Sequence, residues 1–270
     1  MRIAWRPERG PGAGEGRRYG GRMDLGLSGK RAAVAAASGG LGFASAAALA
    51  ADGARVVICG RDRARIDDAA ARIGNGCIGL VQDVADAAGG AAFVAAATEA
   101  LGGLDIVVAN GGGPAPGTFA STPVDAYETA LDLNLLSVVG MAKAAVPAMQ
   151  AQRWGRFVAI TSLSVRQPMA NLILSNTARA GLLGFAKTLA NEVAKDGVLV
   201  NTVMPGHFDT ARAIELAQMR PEIRDAYRGN MKVLGIFPVA AYNDDQVGNV
   251  RRQAHHHLQQ VTEDAANEPG

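Results

Sequence analysis

The stretch Val34-Ala35-Ala36-Ala37-Ser38-Gly39-Gly40-Leu41-Gly42-Phe43-Ala44-Ser45-Ala46-Ala47-Ala48-Leu49-Ala50 decides how this chain folds. It passes from an apolar strand-like run, through a Gly-rich turn, into a run with apolar residues at helical spacing. Glycines at 40 and 42 let a backbone approach a phosphate closely. The helix that follows offers its unpaired N–H groups and positive dipole end to an anion. Ser38 adds a hydroxyl donor. A Gly-rich turn alone also serves as an ordinary turn. Its place between the first strand and first helix of a βαβ unit makes it a pyrophosphate site. Ser38, Gly40, Leu41 and Gly42 are therefore the expected contacts of a dinucleotide.

Outward from this turn, apolar runs alternate with helical patterns. The strands are expected at Arg31–Ala36, Arg55–Cys59, Cys77–Gln82, Leu104–Ala109, Arg156–Ile160 and Val198–Val203. The helices are expected at Leu41–Asp52, Arg63–Ile73, Ala87–Leu101, Thr122–Gln152 and Ser175–Lys195. Strands separated by helices imply right-handed crossovers and a parallel sheet covered on both faces. The fold class is α/β: a doubly wound parallel sheet of the Rossmann type, in a single domain. Its ligand belongs beyond the carboxyl ends of the strands.

Composition bounds the rest. The 270 residues carry a formal charge of +2, but residues 1–22 hold six Arg against two Glu, which leaves −2 for the remainder. The basic balance describes that segment, so no nucleic-acid partner is expected. Residues 1–22 are rich in Gly, Pro and Arg without periodicity and read as a disordered extension. The domain is expected over 23–243, with a poorly ordered tail at 244–270. Thr210–Val233 reads as helical with a break at Pro221. Cys59 and Cys77 form no disulfide framework and read as small hydrophobes. No metal site is expected, since His255, His256 and His257 lie in the polar tail. No apolar run approaches ~18 residues, so no membrane span is expected. A cytoplasmic protein fits these features best.

The second strand ends at Cys59-Gly60-Arg61, where this fold reads the adenosine ribose. A carboxylate there would bond the 2′-hydroxyl. Arg61 instead suits a 2′-phosphate, which favours NADP over NAD; the alternative is a solvated Arg61. Asp83, after the third strand, either accepts from the adenine amino group or faces solvent.

These features in order resemble the short-chain dehydrogenase/reductase family, over roughly residues 27–212. The family's Thr-Gly-xxx-Gly-x-Gly turn corresponds to Ala35 through Gly42, and its Asp-Val pair to Asp83-Val84. Its Asn-Asn-Ala-Gly motif corresponds to Ala109-Asn110-Gly111-Gly112 and its helix asparagine to Asn134. Its Pro-Gly-xxx-Thr segment corresponds to Pro205, Gly206 and Thr210. The resemblance implies that Asp83, Val84, Asn110, Gly111, Pro205, Gly206 and Thr210 contact the cofactor.

The active site departs from the family pattern. Ser162 occupies the serine position. Thirteen residues on, where the family has Tyr, stands Ser175. Four further, where it has Lys, stands Arg179. The chain thus reads as a subgroup with Ser and Arg in place of Tyr and Lys. The family's phenol serves as general acid or base, whereas a serine hydroxyl is shorter and far harder to ionise. Arg179 suits the nicotinamide ribose but does not give up its proton. Tyr227, unless it is an ordinary surface or core tyrosine, or a water between Ser162 and Asn134 are the candidate substitutes, and Arg166 either receives a substrate anion together with Arg179 or is solvated.

The expected catalytic set is Asn134, Ser162, Ser175 and Arg179. The implied activity is hydride transfer between NADP(H) or NAD(H) and a small-molecule carbonyl or secondary alcohol, of the 3-oxoacyl reductase kind. The alternative is a catalytically impaired dinucleotide-binding sensor or assembly subunit. No seventh strand is found in the sequence. A homo-oligomer is expected unless that altered C-terminus prevents it.

Overall fold

The computed structural model describes residues 24–205 and Thr210. Six strands are present: β1 (Arg31–Val34), β2 (Arg55–Gly60), β3 (Ile78–Val81), β4 (Ile106–Ala109), β5 (Gly155–Ile160) and β6 (Val198–Val203). They pair in the order β3-β2-β1-β4-β5-β6, every pair parallel. This is the doubly wound order, and its direction reverses between β1 and β4. At that point the two halves of the sheet open a crevice beyond their carboxyl ends.

Around the sheet run α1 (Gly40–Ala51), α2 (Arg63–Ile73), α3 (Ala87–Leu101), α4 (Asp125–Leu131), α5 (Ser137–Ala151) and α6 (Ile173–Val193). Alternate strand residues feed two cores. Ala33, Ala35, Val57, Val107 and Phe157 pack under α3, α5 and α6, whereas Ala32, Val34, Val56, Ile58 and Val108 pack under α1 and α2. A strand buried on both faces needs an unbroken apolar run, and Val56-Val57-Ile58-Cys59-Gly60 is one, fully buried.

Local signals set the helix ends. Asp62 caps α2 by accepting from the Arg65 N–H at 2.9 Å, and Asp86 caps α3 through the Gly89 N–H at 2.7 Å. Gly102, with φ +69°, closes α3 in the left-handed conformation. Where α3 crosses α5, a methyl at Gly90 would run into the Ser137 carbonyl, and one at Gly140 into the Ala87 carbonyl. Backbone-to-backbone contact there admits only glycine.

The helix expected over 122–152 is one continuous rod, Asp125–Ala151, with a π turn at Asp132–Leu136 joining α4 to α5. By length and composition it could cross a membrane, but half of its apolar stretch is buried inside the fold. Val138, Met141, Ala145 and Met149 belong to the core, as in any central helix of an α/β domain. The expected tails, the helix of residues 210–233 beyond Thr210 itself, Gly206, Tyr227 and the histidine run lie outside the described residues.

Candidate active site

The phosphate turn is assembled from three strands. The Ala35 N–H donates to the Val108 carbonyl at 3.0 Å and the Ala37 N–H to the Cys59 carbonyl at 2.9 Å, so the turn stays registered to both neighbours of β1. Between them Ala36 takes φ +48°, the left-handed region. A Cβ there is disfavoured by about 1–2 kcal/mol, and the family pattern has glycine at this position. This left-handed turn ends β1 at Val34, two residues before its expected end. The Asn110 amide ties the turn down from β4, donating to the Ala35 and Ala36 carbonyls at 3.2 and 3.1 Å.

Gly40 opens α1 with φ +58°, and no side chain caps the helix N-terminus. A Cβ on Gly39 would meet open space, whereas one on Gly42 would fall 2.7 Å from the Asn110 amide nitrogen and 2.9 Å from the Ala36 carbonyl. Gly42 therefore lets α1 sit against the strand ends, while Gly39 and Gly40 present bare backbone outward. These residues fit a dinucleotide pyrophosphate. The Thr210 methyl lies 3.7 Å from the position a Gly40 Cβ would take, so Thr210 sits beside the same turn.

The adenosine end follows from β2 and β3. Gly60 leaves room for Ser38, whose Oγ would be 3.5 Å from a Cβ at that position. Arg61 and Asp83 are exposed and Val84 is buried. Cys59 lies beneath the turn; its thiol receives the Ala36 N–H at 3.4 Å, and burial pushes its pKa up to about 12. No reactive thiolate forms there at neutral pH.

On the other side of the crevice, Asn134 sits in the π turn, a distortion common at functional sites. Its Nδ2 donates to the Gly112 carbonyl at 2.7 Å, and its Oδ1 is buried without a hydrogen-bond partner. Ser162 follows β5 and caps a short 3-10 turn, accepting from the Ser164 N–H at 3.1 Å. Ser175 lies in the first turn of α6, half-buried, with Arg179 one turn further along. Arg179 Nη1 donates to the Ile160 and Thr161 carbonyls at 3.1 and 3.3 Å, and its Nη2 to the Gly112 carbonyl at 3.5 Å.

The Gly112 carbonyl thus receives both Asn134 and Arg179. Asn134 and Arg179 meet at the segment after β4, Arg179 also holds the end of β5 where Ser162 follows, and Ser175 stands one turn before Arg179 on α6. The backbone grip of Arg179 was not legible in the sequence, nor was the tie from Asn110 to the turn. Pro205 joins the same region by accepting from the Leu163 N–H at 3.2 Å.

A glycine turn at β1, a reversal of strand order beside it and polar side chains at the ends of β4 and β5 define a dinucleotide-dependent enzyme fold. A sequence model described as short chain dehydrogenase matches residues 30–221. The dehydrogenase/reductase SDR family member 4 of Bos taurus is 33% identical over 189 residues, 68% of this chain and 68% of that protein. The 3-oxoacyl-[acyl-carrier-protein] reductase FabG of Aquifex aeolicus is 30% identical over 232 residues, 84% of this chain and 90% of its own length.

Among solved structures, the 3-oxoacyl (acyl-carrier-protein) reductase of Agrobacterium tumefaciens with NADP bound superposes with a TM-score of 0.71. It is 30% identical, with 80% of this chain and 85% of that one covered. The L-sorbose reductase of Gluconobacter frateurii, complexed with NADPH and L-sorbose, gives a TM-score of 0.70 at 31% identity, covering 77% of this chain and 81% of that one. The chain belongs to the short chain dehydrogenase family.

Proposed function

We propose that the protein is an NAD(P)-dependent oxidoreductase, with NADPH favoured, acting on a carbonyl or secondary alcohol of the 3-oxoacyl class. The observation that supports this reading is the uncapped, glycine-lined turn after β1 beside a second polar cluster, Asn134 and Arg179 on the Gly112 carbonyl, after the neighbouring strand β4. The NADP- and NADPH-bound relatives support the cofactor. When bound, the cofactor supplies or accepts a hydride.

The chain's own residues do the rest. Ser38, Gly40, Leu41 and Gly42 hold the pyrophosphate, Arg61 meets the 2′-phosphate, and Asp83 and Val84 flank the adenine. Asn110, Gly111, Pro205, Gly206 and Thr210 border the nicotinamide end. Ser162 and Ser175 hydrogen-bond the substrate oxygen, and the fixed charge of Arg179 favours negative charge developing nearby. Neither Ser175 nor Arg179 is a good proton donor at neutral pH. The loss of general acid–base help costs typically 10²–10⁴-fold in rate without stopping hydride transfer.

The Ser and Arg replacements favour a second reading, a catalytically impaired dinucleotide-binding sensor or assembly subunit. Titration of NADPH and NADH by fluorescence, followed by a ketone panel with the tighter one, separates the two. Turnover above a Gly40→Arg control supports the enzyme. Tight binding with no turnover supports the sensor. We place the functional domain within residues 23–243 in a cytoplasmic homo-oligomer, with no nucleic-acid or membrane partner.

A further inference from the structure

Two loops flank the substrate side of the crevice: residues 111–124 after β4 and residues 161–172 after β5. They are stitched together at Gly117. The Gly117 N–H donates to the Asn171 carbonyl at 2.8 Å, and the Ile173 N–H donates back to the Gly117 carbonyl at 3.3 Å. Gly117 and Leu172 thereby form an isolated parallel bridge. Asn171 turns into this bridge with φ +61°, a left-handed conformation that asparagine tolerates better than most residues.

Just before the bridge the same segment is gripped from the other side. Asn176, the residue after Ser175 on α6, receives the Met169 N–H on its Oδ1 at 3.4 Å. It returns its Nδ2 to the Met169 carbonyl at 2.8 Å. A carboxamide is the side chain that can both accept from and donate to one residue's backbone, as a neighbouring strand would. The segment 169–173 is therefore held inward by α6 and outward by the loop after β4.

We propose that Asn176 is a positioning residue for substrate selection: through Met169 and the Gly117–Leu172 bridge it sets the spacing of the two loops that wall the substrate space. This rests on the oxidoreductase reading for its consequence in catalysis, but not for its structural part. Asn176 touches neither the phosphate turn nor the backbone carbonyls held by Arg179. Its removal should leave cofactor affinity intact while loosening both loops. The loss of hydrogen bonds of this kind is worth up to about tenfold in an equilibrium. The expected change is in KM and in discrimination, not in kcat.

The test uses the full-length protein with bound NADPH and the variants Asn176→Ala and Asn176→Asp. Asp keeps the acceptor for the Met169 N–H but sets a carboxylate against the Met169 carbonyl. Hydrogen–deuterium exchange is read over residues 113–118 and 166–173, with β5 and the second half of α6 as internal standards. Faster exchange in both loops of Asn176→Ala, with unchanged standards and an NADPH Kd within about twofold, supports the proposal. Loosening of residues 166–173 alone, or of neither loop, overturns it, as does a general rise that includes the standards.

In parallel, ethyl acetoacetate and the bulkier ethyl benzoylacetate serve as probes. A KM for ethyl acetoacetate raised by roughly five- to tenfold with kcat nearly unchanged, and a narrower preference between the two esters, is the expected result. Equal KM values in variant and native protein, or kcat, KM and Tm falling together, overturn the selective role. If the native protein binds NADPH but reduces neither ester, the carbonyl-reductase reading fails. The exchange experiment still decides the positioning role.

Discussion

The two ends of the same sheet are built on opposite terms. At the amino ends of the strands the charged groups are matched. Arg31 and Asp105 pair at 2.8 Å, and Asp105 also receives the Arg31 N–H at 2.9 Å. Gln152 bridges to Asp105 and to the Leu104 and Trp154 carbonyls. The Trp154 ring receives the Lys30 ammonium and the Arg156 guanidinium, 4.0 and 4.3 Å from its centre. At the carboxyl ends the terms reverse. Asn134 Oδ1 is buried without a partner and the N-terminus of α1 has no cap, while left-handed backbone occurs at both ends, at Ala36 here and at Asn75 and Arg153 before β3 and β5. Unmet buried polar groups persist in a fold where a ligand or reaction uses them.

The largest expected effect comes from restoring the family pattern at the reactive end. Ser175→Tyr combined with Arg179→Lys should raise NADPH-dependent ketone turnover by about 10²–10⁴-fold, the usual value of general acid–base help. Steady-state kinetics on a substrate found in the ketone panel reads it. Arg179→Lys alone should lower turnover, since it loosens the grip on the Ile160, Thr161 and Gly112 carbonyls without supplying a phenol. A double variant no faster than the native protein would mean that this end of the sheet does not support the family's chemistry.

A smaller effect is expected at the amino end. Asp105→Asn should cost about 2 kcal/mol of stability at pH 7, a Tm loss of roughly 4–8 °C, with NADPH affinity unchanged. The Arg31 guanidinium holds the Asp105 carboxyl below the usual carboxylate range. A group whose folded-state pKa is lowered stabilises above its unfolded pKa and loses that contribution as pH falls through the folded value. The gap between native and Asp105→Asn protein should therefore narrow below about pH 4, where unfolded aspartates titrate. Denaturant unfolding at a series of pH values measures this. A gap that stays constant to pH 2 would assign the loss to packing instead of charge.

The smallest effect belongs to Ala36→Gly, which relieves a left-handed alanine at the phosphate turn. Stability should rise by about 0.5–1 kcal/mol, the strain relief being partly offset by a more flexible unfolded chain. NADPH should bind as tightly as before or slightly tighter. Destabilisation would show that the Ala36 methyl, which packs against the core, is worth more than the strain it brings.

Much of the framework was legible from residues alone, because hydrophobic period and punctuation act locally. The β6 strand Val198–Val203 and the helices Arg63–Ile73 and Ala87–Leu101 match the sequence reading to the residue. Asp62 and Asp86 announce their helices, and Gly74 and Gly102 end them. The π turn at Asp132–Leu136 was not legible. No Pro or Gly marks it, and the Asn134 contact with the Gly112 carbonyl joins residues 22 apart in sequence.

By itself the sequence determined the alternation of strands and helices, the glycine turn that admits a phosphate, and the residue types at the family's catalytic positions. These follow from backbone sterics and local period, which each short segment carries with it. Only the tertiary structure decided the direction of the Arg179 guanidinium, the bridge between Gly117 and Leu172, and the hold of Asn176 on Met169. It also decided that Ala36 must take a conformation meant for glycine. Those outcomes depend on which carbonyls and amides lie within hydrogen-bond reach, and distant segments meet only once the parallel sheet has formed.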